Sequence, residues 1–300
     1  MAKVIGIETG PEKLRIVVAN TITKKFKTSY YGNIKIETML DQIFDEVKKI
    51  ENFSGIGITV PGILDLAKGK LLYAPSMNLR NVEIVKPLED EFNVPVLLYH
   101  STIASVLAEK LFGAGKNAKN LVYINIGTWI GTGVIADDKL ILGKEGNAHE
   151  LGHSVIDYNS SVKCPCGEYG HWSAYSSSRG MLNYTRLLLD TKYAGVKTLL
   201  RSAKNLNADK IFSLAKKDKV AREIVEEVGR INAIGTANVI SAYDPELITI
   251  GGYLAAKHKN QVLTPITRHV KKYTINKVPK IMLSPLGDYA TIYGAIADFL

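Results

Sequence analysis

Three glycine-bearing turns, each closing an apolar β-branched run, constrain this chain more than any other feature. Glu8-Thr-Gly10 follows Val4 to Glu8, and Lys13 leads into a second run, Leu14 to Ala19. Ile126-Gly-Thr-Trp-Ile-Gly-Thr-Gly133 places Gly127, Thr128, Gly131 and Gly133 at the end of Leu121 to Ile126. Gly251-Gly252-Tyr253 ends Leu247 to Ile250. A glycine at a strand end lets backbone N–H groups approach a phosphate closely. One such turn is an ordinary hairpin. Three, spread along the chain, predict an α/β protein with a nucleotide cleft between two domains.

The 300 residues suffice for two domains, each with its own core. An apolar share of 46% against 22% charged excludes a disordered chain. The longest apolar run, Leu121 to Ala136, is broken by Asn125, three glycines and two threonines, so it is no membrane span. A strand pattern from Lys3 onward argues against a signal peptide, and a cytoplasmic address is expected. The net charge of +9 fits a solvated surface or a phosphate-bearing small ligand. No zinc finger, helix-turn-helix or basic helix points to nucleic acid.

Further strands are expected at Gly55 to Val60, Pro95 to Tyr99, Gly131 to Ala136, Lys139 to Leu142 and Lys280 to Leu283. Helical spacing marks Met39 to Val47, Ser101 to Phe112 with Ser101 as N-cap, Val220 to Ala242 and Ala290 to Leu300. The glycine-bearing strand pairs near residues 10 and 130 are compatible with an internal duplication.

His149-Glu150-Leu-Gly-His153 fits the zinc-protease spelling H-E-x-x-H, which requires a helix to put both histidines on one face. Gly143, Gly146, Asn147 and Gly152 argue against that helix, and Ser154 to Asp157 reads as a strand. A closed zinc site made of His153, Cys164, Cys166 and His171 is the better metal set. Ten, one and four residues separate successive ligands, and Gly167 and Gly170 allow the tight turn. A Cys164–Cys166 bridge would be strained.

The order of these motifs resembles the ROK family (repressors, uncharacterised frames and sugar kinases) along essentially the whole chain. Ile58-Thr-Val-Pro-Gly-Ile-Leu-Asp65 resembles its G-x-P-G-x-V-D segment. Leu111-Phe-Gly-Ala-Gly-Lys116 resembles Y-L-F-G-A-G-K, and Ile126 to Gly133 resembles L-G-T-G-I-G-G-G. Glu150-Leu-Gly-His153 and Cys164-Pro-Cys-Gly-Glu-Tyr-Gly-His171 resemble G-E-x-G-H and C-x-C-G-x-x-G-C, and Leu286 to Ala290 resembles the start of its last helix. The resemblance implies a two-domain actin/hexokinase-like (ribonuclease H-like) fold and descent from ATP-dependent glucokinase-like sugar kinases. It implies a small domain at 1–99, closed by a helix at 288–300, and a large domain at 100–287. Structural zinc, ATP with magnesium if active, a sugar ligand and a homodimer or homotetramer are implied with it.

The departures are specific. His171 stands where the family's zinc motif ends in cysteine. The family's D-x-G-G-T-K loop reads Glu8-Thr-Gly-Pro-Glu-Lys13, so Pro11 removes a backbone donor and Glu12 adds a negative charge near phosphates. Glu8 keeps a carboxylate that could serve magnesium through water. The family's E-N-D, whose aspartate takes the proton of the attacking sugar hydroxyl, reads Tyr99-His100-Ser101. An unassisted serine is no general base near neutral pH, and His100 is the candidate substitute. Ser173 replaces a sugar-binding glutamate, and Ser76 a substrate-loop asparagine. Asn78, His100, Glu150, His153 and Ser173 make up the expected sugar set. The expectation is weak or lost sugar phosphorylation. An active hexose or amino-sugar kinase is the alternative. A regulator is a third class, and the family's repressors carry a winged helix ahead of the kinase-like part.

Overall fold

Every residue of strand β1 (Lys3–Thr9) from Val4 onward is buried, as expected of a strand covered on both faces at the middle of a sheet. The structure, a computed structural model, describes residues 3–11 and 13–300. Glu12, expected beside phosphates, lies outside the described residues. The contacts group the chain into two compact units.

The first unit comprises Met1–Asn117, Leu140–His149 and Tyr289–Leu300. Its main sheet contains β1, β2 (Leu14–Asn20), β3 (Phe26–Gly32) and β4 (Phe53–Val60). A small three-stranded sheet follows, β5 (Ile63–Asp65), β6 (Lys70–Ala74) and β7 (Leu79–Glu83). The main sheet is completed by β8 (Val96–His100), in the order β3-β2-β1-β4-β8. Met39, Ile43 and Val47 form the buried face of helix Met39–Val47, one residue per helical turn. The expected division at 99/100 is displaced in this grouping to Asn117/Ala118. Helix Ser101–Leu111 accounts for the shift: Ile103 and Ala104 share an apolar cluster with Tyr99 and Leu97, and Ser105 Oγ lies 3.0 Å from Thr291 Oγ1. Asn147 ties 140–149 to the small sheet by accepting from Leu64 N–H at 3.1 Å and donating to Leu64 O at 3.0 Å.

The second unit comprises Ala118–Lys139 and Glu150–Asp288. Its strands are β9 (Leu121–Ile126), β10 (Ile130–Ala136), β11 (Lys139–Leu140, beginning in this unit), β12 (Leu247–Gly251) and β13 (Lys280–Leu283), in the order β11-β10-β9-β12-β13. The two sheets share one pattern. In each, the first strand pairs antiparallel with its hairpin partner and parallel with the next strand, which takes one more parallel neighbour. That repeat agrees with an internal duplication. Helix Lys219–Tyr243 is capped by Asp218, which accepts from Ala221 N–H at 2.8 Å.

Several local expectations differ from the structure. Ser154 to Asp157 is not a strand; one isolated bridge, Val155 to His171, replaces it. The terminal helix stops at Gly294 and resumes as a short 3₁₀ turn at Ala297–Phe299. A Cβ on Gly294 would lie 1.7 Å from Ala104 O, and one on Gly57 1.6 Å from Ala295 O. Both obstacles are main-chain atoms that cannot rotate away. Gly294→Ala is therefore expected to destabilise the protein by at least the roughly 1–3 kcal/mol typical of overpacking, read as a lowered thermal midpoint. An unchanged midpoint would contradict this packing. Among the described residues no helix is long and apolar enough to cross a membrane.

Candidate functional site

In the first unit, β1, β4 and β8 are parallel, so their carboxyl ends share one edge of the sheet. Glu8 pairs with Thr59 in register and Val60 with His100, and Thr9 Oγ1 donates to Thr59 O at 3.0 Å. Glu8, 5% exposed, faces two cations: Lys13 Nζ at 3.0 Å and Arg15 Nε at 3.6 Å. Arg15 is itself buried between the rings of Tyr31 and Tyr289, 5.2 and 4.9 Å from their centroids. Direct ligation of magnesium by Glu8 would have to displace these cations. The Gly10 N–H donates to Lys13 O at 3.0 Å, and Pro11 has none to offer.

His100, not Ser101, caps helix Ser101–Leu111. Its extended backbone, φ −70° and ψ 145°, is the N-cap conformation, and Nδ1 accepts from Thr102 N–H at 3.2 Å. Ser101 is thereby the first helical residue, and its hydroxyl makes no hydrogen bond among the described residues. With Nδ1 accepting, the neutral His100 ring carries its proton on Nε2, and that nitrogen is a donor rather than a base. The His149 ring stacks on His100, centroids 3.5 Å apart and planes 8° apart. Asn78 is an exposed turn residue between β6 and β7 with φ +54°, a conformation asparagine tolerates well.

In the second unit, β9 and β12 run parallel with Gly251 opposite Asn125, so their glycine turns lie side by side at one edge. Residues 127–129 form the first turn, with Thr128 at its centre. Gly131 and Gly133 instead lie within β10, paired with Asn125 and Tyr123. Gly252, at φ +87°, packs so closely that a Cβ would sit 2.6 Å from Ile126 O. Ser173 is fully buried, and its Oγ accepts from Ile130 N–H at 3.3 Å.

His153, Cys164, Cys166 and His171 each offer a ligand atom, and all four atoms lie within 4.8 Å of one another. Glu150 Oε2 holds His153 Nδ1 at 2.6 Å, leaving Nε2 to face the cluster, buried and without a hydrogen-bond partner. Cys166 Sγ is 3.3 Å from His171 Nδ1, close to the roughly 3.3–3.8 Å edge of a tetrahedron with zinc-type bond lengths. Gly167 at φ +111° and Gly170 at φ +70° make the turn between ligands. Burial, together with Cys166 alongside, pushes the Cys164 thiol up to about 12, and burial and His153 lower His171. A neutral imidazole is the ligating form, and a divalent cation reverses the thiol's preference by ionising it. The donor set therefore fits zinc, with Glu150 as the carboxylate that orients the ligating His153. Leu151–His153 is a single 3₁₀ turn, so the H-E-x-x-H spelling has no α-helix to put both histidines on one face.

Sequence reasoning missed Arg15, His149 as the partner of His100, and Asn232, which accepts from Trp172 Nε1 at 2.9 Å. Each partnership is made across the fold, and no spacing signals it.

Two five-stranded sheets of matching order, with glycine turns at their parallel edges, define the actin/hexokinase-like class. Residues 4–299 match the ROK family. A glucokinase of Pyrobaculum calidifontis is 30% identical over 300 residues, 99% of this chain and 95% of that protein. A xylose repressor of Caldicellulosiruptor bescii is 29% identical over 316 residues, 99% of this chain and 78% of that protein. The structure of a ROK family glucokinase from Streptomyces griseus in complex with glucose and AMPPNP superposes with a TM-score of 0.84 at 25% identity, covering 99% of both chains. The chain belongs to the ROK family.

Proposed function

We propose that this protein is a glucokinase-like sugar-binding protein of the cytoplasm whose ATP-dependent phosphotransfer is slow or lost. The observation that carries the reading is Ser101 at the first turn of the helix that follows β8, where the family's general base stands. Family glucokinases take glucose and a nucleotide, as the Streptomyces griseus complex does. Here Glu150 supplies the sugar contact. With zinc on Nε2 and Glu150 on Nδ1, His153 has no ring nitrogen left for a sugar hydroxyl and acts by fixing Glu150. Zinc, when bound, closes the Cys164–His171 loop as a structural ion. The turns at 127–129 and 251–252 are the nucleotide's backbone contacts.

A general base is typically worth about 10²–10⁴ in rate, while phosphoryl transfer rests mainly on positioning and charge neutralisation. Loss of the base leaves a residual rate, and loss of donors at Gly10 and Pro11 weakens the nucleotide as well. Coupled ADP release over a panel of hexoses and amino sugars tests the reading. Slow turnover, or none, is expected, and turnover with one sugar at ordinary kinase rates of about 1–100 s⁻¹ would overturn it. Calorimetry with Mg-ATP should show weak binding, tightened by Pro11→Gly combined with Glu12→Thr. Tight binding by the unaltered protein would contradict this account of the loop. Similarity along 99% of this chain to a xylose repressor favours a second reading, a sugar-responsive regulator, in which sugar binds without ADP release.

A further inference from the structure

We infer that the second unit carries a separate binding site for a multiply charged small anion, such as a di- or triphosphate group, on the face formed by helices Lys219–Tyr243 and Lys259–His269 and the turn that follows helix Ala208–Leu214. A cavity of about 610 Å³ lies there, lined by Lys216, Arg222, Lys257, Lys259 and Arg268 against a single carboxylate, Glu226. That volume is within the range of small-molecule sites, roughly 300–1,000 Å³.

The acids near the cavity do not neutralise it. Glu226 already faces Arg268 at 3.1 Å and His269 at 2.8 Å. Asp209, outside the lining, faces Lys257 and His258, each at 2.7 Å. Burial would raise the Glu226 carboxyl, but His269 and Arg268 hold it low, so it stays an ionised and occupied partner. Lys216 and Lys259 have no acidic partner among the described residues. Arg222 uses Nε on Ala215 O at 3.1 Å, so its two terminal nitrogens keep the planar fork that matches phosphate oxygens.

The walls are tied to one another, so the backbone that carries the cations is fixed before a ligand arrives. Gln261 Nε2 donates to Phe212 O at 2.8 Å. The Arg268 and His269 bonds to Glu226 join helix Lys259–His269 to helix Lys219–Tyr243, and Lys257 and His258 reach Asp209 on helix Ala208–Leu214. Pro265 packs where Gly229 has no side chain; a Cβ there would lie 2.3 Å from the proline ring. The lining contains no Phe, Tyr or Trp, and His258 is stacked on Phe212 with centroids 4.5 Å apart. No open aromatic platform exists for nucleobases, which favours a compact anion over a nucleic-acid strand. None of these residues belongs to the sugar, nucleotide or zinc sets, so the inference stands apart from the proposed function.

Calorimetry with tripolyphosphate at low ionic strength, beside a 20-nucleotide single strand, tests it. The paired variant is Lys216→Glu with Lys259→Glu, two exposed substitutions checked by an unchanged thermal midpoint without ligand. Expected are one saturable tripolyphosphate per chain, weakening with added KCl, and a loss of at least about tenfold in the paired variant. Absence of saturable binding, or binding that the variant leaves unchanged, overturns the site. Tighter binding of the single strand than of tripolyphosphate, lost in the same variant, also overturns it and makes the cavity a nucleic-acid contact. If the variant melts early, Lys216→Ala alone, with a smaller loss in the same direction, decides.

Discussion

Cys164→Ser, or exhaustive chelation of the wild type, is expected to lower the thermal midpoint by about 10 °C or more. Zinc bound only by the native fold contributes its binding free energy to stability, and structural sites reach about 10–16 kcal/mol in small zinc domains. This chain has large cores besides, so the loss expected is a fraction of that, about 3–5 kcal/mol. At roughly 2–4 °C per kcal/mol for a unit of this size, the shift follows. Without a cation the cluster holds a buried thiol that burial and the neighbouring Cys166 make still harder to ionise, beside a His153 Nε2 with no partner. Protein purified without chelator should carry about one zinc per chain. Acid should release it, since protons compete for thiolates and imidazoles, so the contribution is present near neutrality and lost as pH falls. His171→Cys should keep both metal and midpoint, because a thiolate replaces one ligand with another. A metal-free protein with the wild-type midpoint would remove zinc from the account.

The central strands were legible because burial on both faces favours short runs rich in apolar and β-branched residues, and β1, β4, β9 and β12 are such runs, interrupted mainly by small residues such as Gly6, Gly55 and Gly57. Edge strand β3 was not. Its Phe-Lys-Thr-Ser-Tyr-Tyr-Gly sequence is mostly exposed, so no apolar alternation marks it, and the short strands β5 to β7 are set by turns such as Gly62 at φ +119°. The cluster of His153, Cys164, Cys166 and His171 was readable because metal-type donors are confined to a few residue types at close spacing. The His100 cap was hidden by Ser101, a better N-cap by composition. The helix begins one residue earlier than serine's preference implies, because β8 runs without a loop straight into it. Tertiary partnerships such as Arg15 with Tyr31 and Tyr289 have no local signature.

Ser101→Asp is expected to raise sugar phosphorylation by about 10²–10⁴, the range typical of a positioned base. The local structure favours the substitution. Ser101 is the first residue of helix Ser101–Leu111, where a carboxylate meets the positive end of the helix dipole and gains roughly 0.3–1 kcal/mol. The fold should therefore accept Asp, and the carboxylate should be ionised at neutral pH. The gain should appear in kcat with KM nearly unchanged, since the new group acts on the transferring proton and leaves ground-state sugar contacts in place. The competing base is His100, and its geometry makes a distinct demand. To accept a proton at Nε2 the ring must first shift its own proton to Nδ1, which breaks the cap to Thr102 N–H. His100→Asn keeps a capping oxygen and removes the imidazole, so it separates the two roles. If the wild type turns over a sugar and His100→Asn lowers kcat by about 10²-fold or more, His100 is the working base and Ser101→Asp should add little. If His100→Asn leaves the rate unchanged and Ser101→Asp raises it, the missing carboxylate limits the chemistry. If neither wild type nor Ser101→Asp releases ADP with any sugar, while calorimetry still detects sugar, the chain has kept the ligand and lost the reaction. The regulator reading then takes its place.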